Sequence, residues 1–287
     1  MEANTEQRID LTLFSEKIQG LKERIASVIV GQEQTVDLVL TAILANGHVL
    51  MSGTTVFNMK TNEFDFHKGP IFADIVLVDE INRAPAKTQS ALFEVMEERQ
   101  ISIDGTTHRM GELYTILATQ NPVEQEGTYK LPEAQLDRFL MKITMDYHSL
   151  DEEVNILERH HSNAALVKLD DITPALTKEE LLTLRAFMKN VFVDRTLLQY
   201  IALIVQQTRT SKAVYLGASP RASVAMMQAS KAYALLQGRD FVTPEDIKFV
   251  APYVLQHRLI LTAEAEMEGY SPVKVTQRLI DKVEVPK

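Results

Sequence analysis

Cysteine is absent from the chain, which excludes disulfides and thiolate metal sites and fits a reducing cytosol. No apolar run approaches the ~18 residues that a membrane helix needs, and the first residues lack the apolar core of a secretory signal. Neither a membrane span nor secretion is expected, and a cytoplasmic location follows from that expectation. Positive charge is in deficit, with 30 Lys and Arg against 39 Asp and Glu and a net charge of −9. That balance argues weakly against a nucleic-acid partner at large, without excluding a local basic pore. No internal repeat, low-complexity tract, Ser-His-Asp set or thiol nucleophile stands out. Of the 7 histidines only His160 and His161 cluster, and adjacent helical residues point about 100° apart, whereas a two-histidine helical metal site uses an i, i+4 pair.

What is present is a chain of 287 residues with 45% hydrophobic content, long enough for a substantial core and two domains. Its organising stretch is Ile75-Val76-Leu77-Val78-Asp79-Glu80. Four apolar residues, three of them β-branched, predict a strand buried on both faces, as parallel sheets require. Asp79 and Glu80 then fall where that strand emerges, and ligands of open α/β sheets bind at the carboxyl ends of the strands. Two such carboxylates suit Mg²⁺ and activation of water; the alternative is a pair of surface acids before the helix that starts near Pro85. Ile116-Leu117-Ala118-Thr119-Gln120-Asn121 reads as a second apolar strand that brings Asn121 to the same rim.

Residues 1–29 read as a polar tail and an amphipathic helix with Leu13, Phe14, Ile18, Leu21 and Ile25 at helical spacing. Val30-Gly31-Gln32 turns into a second helix. Phe57, Met59, Phe64 and Phe66 flank Thr61-Asn62 as in a β-hairpin. Pro85 to about Glu98 predicts a helix with Ala91, Leu92, Val95 and Met96 inward, and Arg99 facing solvent or a neighbouring subunit. Asp104-Gly105 predicts a tight hairpin turn, with His108 and Arg109 solvated near its tip. Leu140 to Met145 forms the last strand, a boundary follows within residues 146–150, and helical patterns dominate afterwards. Ser219 and Thr243, each followed by proline, are helix N-caps, and Thr243 with Asp246 has capping-box spacing.

The order of Asp79-Glu80, Asn121, Leu131-Pro132-Glu133-Ala134-Gln135-Leu136-Asp137-Arg138-Phe139 and Gly217-Ala218-Ser219-Pro220-Arg221 resembles the Walker B, sensor 1, arginine-finger and sensor 2 motifs of AAA+ ATPases. The wording of Asp79-Glu80-Ile81-Asn82-Arg83-Ala84-Pro85, Ala118-Thr119-Gln120-Asn121-Pro122 and Gln125-Glu126-Gly127-Thr128-Tyr129 resembles the MoxR family in particular. The resemblance runs from about Val30 to Val285. It implies an α/β fold: a parallel-sheet αβα nucleotide-binding core, residues 1–147, followed by an all-α lid, residues 148–287. By the same resemblance, Asp79 holds the water shell of Mg²⁺ and Glu80 polarises the attacking water, which Asn121 orients. Arg221 reaches the phosphates from the lid, and Arg138 acts on the neighbour's nucleotide. Val30, Gly31 and Gly53 contact ATP, and the hairpin projects toward a ring pore. The family implies a homo-oligomeric ring, a hexamer, with ATP and Mg²⁺ as cofactors. Its partners carry von Willebrand factor A domains, and its work is remodelling or maturing client proteins.

One motif of such ATPases is missing. The loop G-x-x-x-x-G-K-[ST], whose amides and lysine hold the triphosphate, should follow the first strand, His48-Val49-Leu50-Met51. Instead that strand passes through Ser52-Gly53 into Thr54. The loop, its helix and a further strand are excised, so the natural protein is expected to carry on the order of 40 further residues between Met51 and Thr55, the length of such a crossover. A true deletion would strip an apolar helix from the sheet while sparing every other motif. Rival readings are a non-hydrolysing relic that serves as an interaction module, a magnesium-chelatase-like motor subunit, and a nucleic-acid motor. The last is disfavoured by the acidic charge and by the lack of a Gly-Ala-Phe-Thr-Gly-Ala loop.

Overall fold

The computed structural model describes residues 11–52, 70–103, 106–120, 131–145, 147–161 and 173–286. The chain opens with α1 (Thr12–Val28), α2 (Glu33–Leu44) and β1 (Val49–Ser52), and continues with β2 (Ile75–Val78), α3 (Ala86–Glu98), β3 (Gln100–Ile103) and β4 (Thr106–Arg109). Next come β5 (Thr115–Gln120), the one-turn helix α4 (Glu133–Leu136) and β6 (Met141–Thr144). Helices then dominate: α5 (Leu150–His161), α6 (Lys178–Asn190), α7 (Arg195–Thr210), α8 (Pro220–Leu236), α9 (Pro244–Leu255), α10 (Ala263–Met267) and α11 (Pro272–Lys282). Among them lies a short antiparallel pair that the sequence pattern did not reveal, β7 (Val214–Leu216) with β8 (Ile260–Leu261).

β2, β5, β1 and β6 form one all-parallel sheet in that order. Strands β1 and β5 sit in the middle, where Val49, Leu50, Ile116 and Ala118 lose essentially all solvent exposure. One face packs on α3 through Leu50, Val76, Phe93, Met96, Ile116 and Phe139. The other face meets α2 through Val49, Met141 and Ile143, and that cluster runs without a break into α7, α8 and α9. The helical lid therefore shares a hydrophobic core with the sheet's α2 side.

β2 departs from its expected burial. It is an edge strand of the described sheet, and alternate side chains meet different fates. Val76 is buried against α3, while Ile75 is 45% and Leu77 64% exposed. Nothing among the described residues pairs with the strand's free edge or covers that face. The four-residue apolar run is fit for two-sided burial, and among the described residues no layer lies over Ile75 and Leu77.

Other local expectations are refined. On α3, Gln89, Leu92, Phe93, Val95 and Met96 turn inward, and Ala91 is exposed; the inward stripe includes Phe93, one residue off the assumed phase. Arg99 is not a solvent-facing side chain. It closes α3 in the left-handed region (φ 50°) and donates to Asn46 O (2.9 Å) and Tyr114 O (3.3 Å). His108 is a strand residue rather than a tip residue, paired with Ile101 and edge-on to Phe72. The Thr61-Asn62 hairpin and the Asp104-Gly105 turn lie outside the described residues. Ser219 and Thr243 are the N-caps of α8 and α9, and the Asp246 carboxylate accepts from both Thr243 N (2.7 Å) and Thr243 Oγ1 (3.1 Å).

At the amino ends of the strands, two buried polar groups lock the layers. Arg185 of α6 donates to Ile43 O (2.8 Å), Asn46 Oδ1 (2.7 Å), Glu112 O (2.7 Å) and Thr115 Oγ1 (3.0 Å). Burial, and then the neighbouring Arg99, bring its pKa down to about 10, so it stays charged at neutral pH and its bonds are charge-assisted. His48 accepts from Ile116 N at Nδ1 (2.9 Å) and lies 3.3 Å from Met96 O through Nε2. That pair of contacts fits the neutral tautomer with the proton on Nε2.

Candidate functional site at the carboxyl edge of the sheet

Parallel pairing sets Val78 beside Ala118 and Ser52 beside Gln120, so β2, β5 and β1 deliver their carboxyl ends to one rim. Asp79 and Glu80 leave β2 there. The main-chain N–H of Glu80 donates to Thr119 Oγ1 (2.8 Å), and the same hydroxyl donates to Asp79 Oδ1. One threonine thus fixes both acids. Sequence reasoning quoted Thr119 within a motif but gave it no role, because its partners are 39 and 40 residues away.

Glu80 itself is unusual on two counts. Its backbone is left-handed (φ 49°, ψ 52°), a conformation that costs a non-glycine residue about 1–3 kcal/mol and persists where surrounding structure enforces it. Its side chain is only 7% exposed. Arg83 Nε lies 3.1 Å from Glu80 Oε2, an ion pair without aligned hydrogen-bond geometry. A buried carboxylate oxygen with no hydrogen bond is a group poised for a ligand, a water or a proton. A short 3-10 turn, Ile81–Arg83, carries the chain away. It is braced by Gln89 Nε2, which donates to Ile81 O (3.2 Å) and Ala84 O (3.1 Å).

The Val30-Gly31-Gln32 turn lies before α2, with Gly31 (φ 68°) and Gln32 (φ 62°) both left-handed. The left-handed φ at Gly31 favours glycine there, and an added Cβ would also have to displace the Glu152 carboxylate of α5. Next to the turn is a cavity of about 240 Å³ lined by Gln32, Thr35, Leu38, Ile143, Thr144 and Tyr253. Gly31 lines a neighbouring groove with Lys22 and Ile25 of α1. Val30, half-buried, lines neither.

The two candidate arginines lie apart from the acids. Arg138 follows α4 and precedes β6, whose first residue pairs with the first residue of β1. This places it toward the amino edge of the sheet. It folds back on its own α3, donating to Phe93 O (2.7 Å) and pairing with Glu97 (3.2 Å). Arg221, in the first turn of α8, is 70% exposed and lies 3.8 Å from Asp137. Asp137 in turn accepts from Arg258 Nε (2.6 Å). Gly53 and Asn121 lie outside the described residues; Ser52 and Gln120, their neighbours in sequence, face each other at the rim. Among the described residues no cluster of three or more potential ligands forms a metal site, and no helix is long and apolar enough to cross a membrane.

A parallel α/β sheet with paired acids at its carboxyl edge, followed by a helical lid, defines an AAA+ ATPase fold. Residues 20–141 match the model of the ATPase family associated with various cellular activities, and residues 206–281 match the AAA lid domain. The uncharacterized protein YeaC of Bacillus subtilis is 40% identical, over 92% of this chain and 93% of its own. The chaperone MoxR1 of Mycobacterium tuberculosis is 37% identical, over 92% of this chain and 81% of its own. The chain belongs to the MoxR family of AAA+ ATPases. A crystal structure from Cytophaga hutchinsonii superposes with a TM-score of 0.86 at 33% identity, covering 97% of each chain. The magnesium-chelatase 38 kDa subunit of Acidiphilium rubrum is more distant, at 24% identity over 67% of the chain. The YeaC alignment runs over 301 residues while taking in 92% of this 287-residue chain, so that relative carries residues that this chain lacks.

Proposed function

We propose that the protein hydrolyses ATP in a hexameric ring in the cytoplasm and uses the turnover to remodel or mature client proteins, with a von Willebrand factor A domain protein as partner. The observation that carries this reading is Glu80, buried, left-handed and fixed through Thr119 beside Asp79 at the rim where AAA+ ATPases hold nucleotide. Structural economy argues against such strain at an idle surface acid. The name of MoxR1 as a chaperone supports the client-directed part.

Asp79 offers hard carboxylate oxygens of the kind Mg²⁺ takes, alongside its retained waters. Bound Mg²⁺ would supply charge neutralisation at the phosphate oxygens. Glu80 would draw the proton from the attacking water, and Asn121 would orient that water. The 240 Å³ cavity beside Val30 and Gly31 suits the base, and Gly53 would stand at the entrance to the phosphate loop. Arg221 would leave Asp137 for the phosphates as the lid closes. Arg138 would turn from Glu97 toward the neighbour. The half-exposed Glu97 pair holds it by only about 0–1 kcal/mol, and the charge-assisted bond to Phe93 O by about 1.5–3 kcal/mol. A finger's 10³–10⁵ in rate corresponds to about 4–7 kcal/mol, so the cis contacts do not prevent the swing. The division into a core at residues 1–147 and a lid at residues 148–287 belongs to this reading, supported by β6 ending at Thr144 and the lid match beginning at residue 206.

Glu80→Gln tests the proposal. The amide keeps the shape and loses the charge, so ATP should still bind to the full-length protein while turnover falls by orders of magnitude. Unmodified full-length rings without ATPase activity, measured with the partner present, would establish the relic reading instead.

A further inference from the structure

The segment that presents Arg138 is anchored to the sheet side through buried Phe139 and through Leu140 N, which donates to His48 O (2.8 Å). From the lid side, most of its hydrogen bonds come from one arginine. Arg258, just beyond α9 and 4% exposed, spends its guanidinium on that segment. Nε donates to Asp137 Oδ1 (2.6 Å), and Nη2 donates to Asp137 O (3.0 Å) and Phe139 O (2.7 Å). Nη1 donates to Leu140 O (3.1 Å) and also to Val254 O of its own helix. The residues on both sides of Arg138 are therefore tied to one side chain. His257 Nε2 adds a contact to Phe139 O (3.1 Å), and Gln256 Nε2 donates to Lys142 O.

We propose that Arg258 is a positioning residue for the finger: it couples the lid of one subunit to the Arg138 that this subunit presents to its neighbour's nucleotide. This rests on the ATPase reading above and names a regulatory route within it. The fork is planar and its acceptors are backbone carbonyls on either side of residue 138, so a shift of α9 carries that segment along instead of sliding past it. Asp137 makes the coupling two-way. Its carboxylate takes Arg258 on Oδ1 and meets Arg221 on Oδ2 at 3.8 Å. An Arg221 recruited by the subunit's own phosphates leaves Asp137, and what it leaves is the residue next to the finger. Nucleotide in one site thereby alters the finger that serves the next.

A merely structural clamp and a positioning clamp give different results in mixed rings. Arg258→Lys keeps the buried charge opposite Asp137 and loses the fork to the carbonyls. In the full-length protein it should lower kcat about tenfold or more, leaving KM for ATP within about twofold, because the loss falls on the transition state. Its own Glu80 is intact, so mixing it with Glu80→Gln subunits, which present a properly held Arg138, should restore activity. Arg258→Met should behave likewise, and Arg138→Ala with Arg258→Lys should be no worse than Arg138→Ala alone. Arg258→Lys at unmodified kcat overturns the proposal, and so does a loss that mixing fails to rescue, which marks a folding or cis role. Unmodified rings without turnover overturn the ATPase reading and this assignment together; active unmodified rings confine a failure to Arg258.

Discussion

Thr119 Oγ1 accepts the main-chain N–H of Glu80 at 2.8 Å and donates its proton to Asp79, so one hydroxyl on β5 fixes two acids that leave β2. Positioning of the two acids at the rim is in this respect a property of strand pairing, since the β2–β5 register is what brings residue 119 beside residue 79.

Thr119→Val removes that hydroxyl at nearly constant volume. The left-handed turn at Glu80 loses its anchor, and the carboxylate shifts from its aim. Turnover should fall by up to about 10², the scale of an ångström-level misplacement, while the oligomer and its melting point change little. Steady-state ATPase assays beside light scattering read both quantities.

Arg138→Ala should leave nucleotide affinity of the isolated subunit almost unchanged and abolish most hydrolysis in the ring, because a finger stabilises charge that develops in the transition state. Subunits carrying Arg138→Ala, inactive alone, should regain activity when mixed with Glu80→Gln subunits. If Arg138 serves only its own Glu97 and Phe93, no mixture recovers, or the single variant stays active.

The natural protein is expected to carry on the order of 40 residues between Met51 and Thr55, with a Gly-Lys-Ser/Thr loop. The Ile75 and Leu77 face and the edge of β2, both open among the described residues, are the surfaces that this segment would cover. Covering a Leu or Ile side chain contributes about 1.5–3 kcal/mol. Intact mass spectrometry of the natural gene product decides the matter: a mass of 32.4 kDa defeats the expectation.

His48 carries a pH signature. Burial brings its pKa down from 6.5 to about 4, so the unfolded chain binds the proton more readily than the folded one. The neutral ring's contribution is complete above about pH 6.5 and is lost as pH falls toward 4, by about 3 kcal/mol. Denaturant melts at pH 7.5 and 5 should differ by about 2 kcal/mol of that loss. His48→Asn, whose amide oxygen can still accept from Ile116 N, should show a smaller pH dependence. Equal slopes for both proteins would remove His48 from the account.

The sequence alone determined the main elements and their order, but not the short β7–β8 pair. Ile75–Val78 and the apolar start of Ile116–Gln120 read as strands from their β-branched composition and length. Thr243 and Asp246 cap α9 as their spacing demands, and Asp79-Glu80 could be placed at a strand's carboxyl end from local pattern. These features depend on residues within a few positions of one another. Tertiary structure decided what depends on distant pairs. The left-handed Glu80 needs Thr119, and the burial of β2 needs a layer that local apolarity cannot supply. Arg185 reaches from α6 to Ile43 and Glu112. Arg258 grips Asp137 and Phe139 from the turn after α9, more than 100 residues later. An arginine's sequence neighbours say only that it is charged; which buried carbonyls it satisfies is fixed when the lid packs on the sheet, because only there are those carbonyls out of water's reach.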